Sequence, residues 1–142
     1  QGMVQSAGLS HVITVLDGQS HEALTACNVT LIASGTATLE AALLKRPMVI
    51  SYAVHPISAR IMRSKQLQPW VGLPNILSRD FVVPELLQED ATPQKLADAV
   101  AAWLNDPARC TTVQQRFTEL HHSLRRDTAA LSAHAIQQVL AS

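Results

Sequence analysis

Residues 31–50 read LIASGTATLEAALLKRPMVI, and this stretch decides the fold class. An apolar run passes through Ser34, Gly35 and Thr36 into a segment rich in alanine and leucine, and a second apolar run follows. These patterns predict a strand at residues 29–33, a helix at 36–45 and a strand at 48–53. Continuous apolar strands joined by a helix are typical of a parallel sheet covered by helices on both faces.

The same alternation extends upstream. Residues 11–16 (HVITVL) are apolar and β-branched, and Asp17 and Gly18 are typical of the turn that follows a strand. Residues 19–27 carry apolar side chains at helical spacing. The predicted order β-α-β-α-β indicates an α/β fold, a Rossmann-like parallel sheet with flanking helices.

Helical patterns dominate the rest of the chain. The predicted elements are a helix at 55–66, a loop or short strand at 70–77, and helices at 93–105, 108–125 and 127–140. Thr92 before Pro93 is typical of a helix N-terminus. We expect a partial Rossmann-like domain over residues 1–90. A C-terminal helical tail over 91–142 packs on that domain or crosses to another domain or subunit.

Composition limits the class of protein. The chain has 142 residues, of which 47% are hydrophobic, and a formal net charge of zero, so it can bury one core and lacks the basic surface of a nucleic-acid-binding protein. Cys27 and Cys110 stand far apart, which argues against a disulfide framework and a zinc site and indicates a reducing compartment. Without an apolar run of membrane-spanning length or a leader pattern, a cytoplasmic protein is expected. Because the sequence starts with Gln1, we expect a fragment that lacks an upstream segment.

Ser34, Gly35 and Thr36 stand between a predicted strand and a predicted helix. In an open parallel sheet, ligands bind beyond the carboxyl ends of the strands, where the amides of a helix start are available. Gly35 permits close backbone approach, and the hydroxyls of Ser34 and Thr36 add donors. The turn therefore predicts a phosphate or pyrophosphate site. One helical turn beyond Thr36, the carboxylate of Glu40 suits paired ribose hydroxyls.

A purely structural interpretation of this turn stays open. Ser-Gly-Thr before a helix is also typical of ordinary capping, and the helix dipole favours a glutamate in the first turns without any ligand. The stretch is neither a G-x-G-x-x-G motif nor a P-loop. The turn alone does not decide between binding and capping.

Three motifs together give the chain a family resemblance. Residues 33–52 (ASGTATLEAALLKRPMVISY), 73–77 (LPNIL) and 83–88 (VPELLQ) resemble the C-terminal portion of bacterial lipid-A-disaccharide synthase. The resemblance covers most of the chain and implies a glycosyltransferase of GT-B architecture. It implies transfer of a diacylglucosamine unit from UDP-2,3-diacylglucosamine to 2,3-diacylglucosamine 1-phosphate (lipid X), with release of UDP, in lipid A biosynthesis.

The resemblance also implies site residues and partners. The donor-binding residues would be Ser34, Gly35, Thr36, Glu40 and Asn75. Glu85 and Gln88 recur in the family pattern, with a helix start and its solvent-facing polar side as the alternative interpretation. The implied partners are the UDP-sugar donor, a lipid acceptor, the inner membrane surface and a second subunit in a homodimer. Neither a cofactor nor a metal is expected.

The sequence departs from the family pattern in two places. Ala53 follows Tyr52, where a basic residue is common, and a Pro-Gly-Ser-Arg type loop and an acceptor-binding N-terminal domain have no counterpart here. We therefore expect the catalytic base outside these residues and no activity from this chain alone. A non-catalytic Rossmann-like module that binds a nucleotide or a protein is the alternative function.

The remaining polar residues favour weaker interpretations. His121 and His122 are adjacent, and because neighbouring helical side chains point about 100° apart, they do not chelate one metal together. His55 and Arg60 follow a predicted strand, where contact with a donor or a lipid competes with simple solvation. A cluster of three cations would contact an anionic membrane surface only weakly: Arg60, Arg63 and Lys65.

Overall fold

The computed structural model describes residues 2–65 and 67–141, with the side chains of residues 62–65 left aside. Its sheet has three parallel strands in the order β1-β2-β3. The strands are β1 (Thr30–Ala33), β2 (Met48–Tyr52) and β3 (Glu85–Leu87). Register pairs Thr30 with Met48 and Ile50 with Glu85, so β2 is the central strand.

Helices make up most of the described chain. They are α1 (Gly2–Ser6), α2 (Ser20–Ala26), α3 (Thr36–Leu43), α4 (Pro56–Lys65), α5 (Leu73–Ser78), α6 (Pro93–Leu104), α7 (Pro107–Leu124) and α8 (Thr128–Leu140), with a 3-10 helix at Gln88–Asp90. The predicted α/β class and parallel sheet are confirmed, and α2, α3, α4, α6, α7 and α8 lie where the helical patterns predict them. The predicted helix at 55–66 ends at Lys65 within the described residues, and Gln66 lies outside them.

The prediction of a strand at residues 11–16 is wrong. Residues 11 and 12 form a turn, and residues 13–16 adopt no regular structure. The amides of Val12 and Ile13 both donate to the carbonyl of Leu9 at 3.0 Å. Val12, Ile13, Val15 and Leu16 are 67%, 42%, 45% and 49% exposed. A strand needs a neighbour for its ladder hydrogen bonds and a covered face, and this segment pairs with none of the three described strands.

The third strand instead comes from residues 85–87, where the sequence favours no strand. The prediction of a loop or short strand at residues 70–77 is also wrong over residues 73–77, which belong to helix α5. Both elements are too short for a hydrophobic period to show. Residues 85–87 form a strand because they pair with the buried strand β2. The Ile50 amide donates to the Pro84 carbonyl at 3.0 Å, and β3 continues the ladder from there.

The core surrounds β2. Met48, Val49 and Ile50 are fully buried, with Ala41 and Ala42 of α3 among the residues of the same cluster. Helices α6 and α7 contribute the large core side chains Trp103, Val113 and Phe117. The Trp103 indole Nε1 donates to the Met48 carbonyl at 3.0 Å, which joins α6 directly to the central strand.

The outer parts of the molecule are covered less completely. On β1, Leu31 is 51% exposed, so the expected helix cover over both faces is incomplete at this strand. Helix α8 buries none of its residues, in contrast to α6 and α7. The half-buried Cys27 and Cys110 are unpaired thiols.

Candidate functional site

The carboxyl ends of the three parallel strands meet at one edge of the sheet. Ser34 follows β1, Ala53 follows β2, and Gln88 follows β3. Because ligand sites of open parallel sheets lie at this edge, these three turns form the candidate functional site. Ser34, Gly35 and Thr36 thus occupy the kind of position that the sequence predicts for them.

The turn after β1 depends on Gly35. This residue is the N-cap of α3 and has φ +134° and ψ −167°, a conformation that side chains with a Cβ rarely adopt. As a glycine, Gly35 has no side chain with which to cap the helix start. A Cβ placed on Gly35 would meet no atom within 4 Å, so the space beside the turn is open. A helix start with open space beside it is an arrangement that favours an anion.

Thr38 holds this turn from inside. Its side chain is fully buried, and its hydroxyl donates to the Gly35 carbonyl at 2.7 Å while its backbone amide donates to the same oxygen at 3.1 Å. Sequence reasoning misses this residue. The signal is a threonine at the third position of a helix that starts after a glycine, where its hydroxyl can bond locally to the backbone.

Glu40 lies one turn beyond Thr36 on α3 and is exposed. No hydrogen bond or ion pair of its carboxylate is recorded among the residues that the structure describes. Residues four apart share a helix face, so the carboxylate lies on the same side of α3 as Thr36. This placement is compatible with a ligand that reaches from the turn along the helix.

Asn75 is placed differently from the other candidates. It is fully buried and lies in α5, whereas the sequence predicts a loop or short strand at this position. Its Nδ2 donates to the Val83 carbonyl at 2.9 Å and to Glu85 Oε1 at 2.8 Å, and its Oδ1 accepts from the Val83 amide at 3.0 Å. These bonds tie α5 to the start of β3. Direct contact between Asn75 and a donor stays a prediction from the resemblance.

Glu85 is the partner that Asn75 holds. Its carboxylate accepts from the Val71 amide at 2.9 Å and from the Gly72 amide at 2.9 Å, immediately before α5. The interpretation of Glu85 as a solvent-facing residue at a helix start is wrong, since it lies in β3. A Cβ on Gly72 would lie 2.2 Å from Ile50 Cδ1 and 3.3 Å from Glu85 Oε1, so this close approach requires glycine.

A cavity of about 580 Å³ opens at the end of β2. Its walls come from the turn after β2, the first turns of α4 and the 3-10 helix: Ala53, Val54, Pro56, Ala59, Arg60, Gln88 and Glu89. Ser34, Gly35 and Thr36 are not among them. Strand order separates the two places, because β1 and β3 flank β2 on opposite sides.

Three other features bear on the class of site. Within residues 2–65 and 67–141, no three His, Cys, Asp or Glu side chains are grouped so that they could hold a metal ion. His121 accepts at Nδ1 from Lys45 Nζ, which gives it a contact between α7 and the end of α3. None of the helices in the described part of the chain has the length and apolar character needed to cross a bilayer.

The chain resembles known proteins along almost its whole length. Residues 3–139 match the family model described as lipid-A-disaccharide synthetase. The chain belongs to this family. Proteins named lipid-A-disaccharide synthase from Albidiferax ferrireducens and Verminephrobacter eiseniae are 61% and 57% identical to it, each over 96% of the chain. A third, from Thiobacillus denitrificans, is 57% identical over 94% of the chain. The chain spans 36% of the length of each of these relatives.

Membership of this family confirms the resemblance found in the sequence motifs. These relatives are named for a disaccharide synthase rather than for a binding module. The family match does not assign roles to individual residues.

Proposed function

We propose that this chain is the donor-binding C-terminal part of a lipid-A-disaccharide synthase. The enzyme would transfer a diacylglucosamine unit from UDP-2,3-diacylglucosamine to 2,3-diacylglucosamine 1-phosphate and release UDP. The observation that supports this proposal is the turn at Gly35, where a glycine stands at a helix start and the space beside it is open, in a chain of this family.

The proposed role of the turn is to bind the diphosphate and help it leave. When the bond to the anomeric carbon breaks, negative charge grows on the diphosphate. The backbone amides at the start of α3, the helix dipole and the hydroxyls of Ser34 and Thr36 would stabilise that charge. Thr38 fixes the Gly35 carbonyl, so these donors are oriented before the ligand arrives.

Glu40 is the proposed ribose residue. A carboxylate accepts hydrogen bonds from both hydroxyls of a diol, and its place one turn beyond Thr36 separates it from the phosphates. Asn75 would act through Glu85, because its polar side-chain atoms bond to Glu85 and Val83. In this scheme Asn75 is a positioning residue that sets the loop before α5.

The rest of the enzyme would supply what this chain does not. We propose that the catalytic base and the acceptor site lie outside these residues and that the chain alone is inactive. We also propose that the enzyme acts in the cytoplasm. Because the acceptor is a lipid, the enzyme would make peripheral contact with the inner membrane. Helix α8, which buries none of its residues, would contact another domain or the second subunit of a homodimer.

The proposal is tested at Glu40 in the full-length protein. Glu40→Gln keeps the size of the side chain and removes the charge, and Glu40→Asp keeps the charge and shortens the reach. Because each charge-assisted hydrogen bond contributes about 1.5–3 kcal/mol, both variants should bind UDP at least tenfold more weakly by calorimetry. The loss should shrink when the ligand is a UDP analogue without ribose hydroxyls.

Glu22→Gln is the matched control. Glu22 is an exposed glutamate in the first turn of α2, where it serves the helix dipole and lies on a different element. It should leave UDP affinity unchanged. Wild-type UDP affinity in Glu40→Asp would contradict the ribose assignment, and no UDP binding by the unmodified protein would contradict the proposed function itself.

A further inference from the structure

We propose that the cavity at the end of β2 is a second anion subsite, which binds phosphoryl oxygens of a phosphorylated sugar with Arg60 as its cation. The inference rests on the proposed function and adds a residue to it. The subsite is separate from the turn at Gly35, because the residues of that turn do not line the cavity.

The size and position of the cavity suit such a ligand. Its volume of about 580 Å³ lies within the range of about 300–1,000 Å³ that is typical of small-molecule sites. It opens at the carboxyl ends of β2 and β3, where ligands of parallel sheets bind. The short side chains of Ala53 and Ala59 leave room beside the charged one.

Arg60 places a positive charge at the wall of this cavity. Ala59, the preceding residue, is 8% exposed and anchors α4 on the protein, whereas Arg60 is exposed and lines the cavity. Among the side chains that the structure describes, no hydrogen bond or ion pair of the Arg60 guanidinium is recorded. A guanidinium offers five N–H donors in a planar fork that matches phosphate oxygens.

Gln88 adds an oriented donor group. Its Oε1 accepts from the Val54 amide at 3.3 Å, and this bond fixes the side-chain amide. The Nε2 group of the same amide is then the donor that Gln88 offers at the cavity wall. Its backbone has φ +50°, a left-handed conformation that costs a residue with a Cβ about 1 kcal/mol or more. The surrounding structure therefore holds Gln88 in a backbone conformation that is unfavourable for a residue with a side chain.

The mixed charge of the cavity wall favours a ligand that carries more than a bare anion. Glu89 also lines the cavity, so a small free anion near Arg60 meets a negative charge as well as the positive one. A ligand with both phosphoryl oxygens and hydroxyl groups can use the guanidinium and the Gln88 amide together. A sugar phosphate has these groups, and both substrates of the proposed reaction carry them: the donor in its diphosphate and the acceptor in its 1-phosphate.

The experiment separates these two sources. Calorimetry on the full-length protein would measure the affinity for UDP and for glucosamine 1-phosphate in the unmodified protein, Arg60→Gln and Arg60→Lys. Arg79→Gln is the matched control, because Arg79 is exposed at the end of α5, before the amino end of β3. Thermal midpoints of the variants check that the fold is intact.

We expect Arg60→Gln to weaken one of the two ligands about tenfold or more, with Arg60→Lys in between and Arg79→Gln unchanged. A loss confined to UDP would assign the subsite to the donor, and a loss confined to glucosamine 1-phosphate would assign it to the acceptor. Unchanged affinity for both ligands in a folded Arg60→Gln variant would overturn the inference. UDP binding that still depends on Glu40 in that case would leave the proposed function standing.

Discussion

The side chains of Asn75 and Glu85 form several hydrogen bonds within the protein itself, without any ligand. Asn75 is buried and bonds to Val83 through its amide nitrogen and its oxygen, while its nitrogen also reaches Glu85. Glu85 in turn accepts from the amides before α5. A buried side chain with this many bonds is costly to remove, because its partners lose their hydrogen bonds without gaining water.

Asn75→Ala should therefore destabilise the protein strongly. The Val83 amide and carbonyl would lose their side-chain partner, and Glu85 would lose a donor, so the free energy of unfolding should fall by about 2–4 kcal/mol. Urea unfolding would measure it. The control is Asn105→Ala, an exposed asparagine at the end of α6, which should change stability by about 0.5 kcal/mol or less. Equal stability of the two variants would contradict the structural role of Asn75.

The residues of the candidate site differ in how far sequence predicts them. The exposed placement of Gly35, Thr36 and Glu40 follows from local pattern, because a strand, a glycine turn and a helix start are set by neighbours along the chain. Their contact with a donor stays a prediction. The burial of Asn75 is not a local property, since its partners Val83 and Glu85 belong to the next strand and the loop before it.

At the scale of elements, one tryptophan of α6 forms a direct hydrogen bond to the central strand. Trp103 is 1% exposed, and its indole nitrogen donates to the carbonyl of Met48 in β2. Trp70 provides a contrast, because its Nε1 is buried and has no hydrogen-bond partner among the residues that the structure describes. The N–H groups of the two indoles should therefore contribute differently to the stability of the fold.

Trp103→Phe should cost more stability than Trp70→Phe. The first substitution removes a buried hydrogen bond and leaves volume unfilled in the core, which together cost about 1–3 kcal/mol or more. The second removes an unpartnered donor, and this gain offsets part of the lost packing. Chemical denaturation of both variants would measure the difference. A larger loss in Trp70→Phe would show that the Trp103 hydrogen bond does not hold α6 on the sheet.

At the scale of the whole molecule, burial is unevenly distributed. Phe117 of α7 is 1% exposed and belongs to the core, whereas Ile136 of α8 is 61% exposed. The segment at residues 11–16 and helix α8 both carry apolar side chains that the described residues do not cover. Stability of this unit should therefore depend on α7 and hardly on α8.

Phe117→Ala and Ile136→Ala test this distribution in the chain of 142 residues. Phe117→Ala should lower the free energy of unfolding by about 3–5 kcal/mol because it opens a cavity in the core. Ile136→Ala should change it by about 0.5 kcal/mol or less. A strong loss in Ile136→Ala would mean that α8 packs on this unit in solution, contrary to the structure.

The sequence by itself determined the α/β class, two of the three strands, six helices and the position of the glycine turn. These features depend on hydrophobic period, turn chemistry and helix caps, all of which act between residues close in the chain. Only the tertiary structure decided that residues 85–87 form the third strand and that residues 11–16 do not form one. A strand exists where a neighbour completes its hydrogen bonds, and β2 supplies that neighbour to Glu85–Leu87. For the same reason Asn75 is buried and the Arg60 cavity exists, since both are made by elements that are distant in the chain.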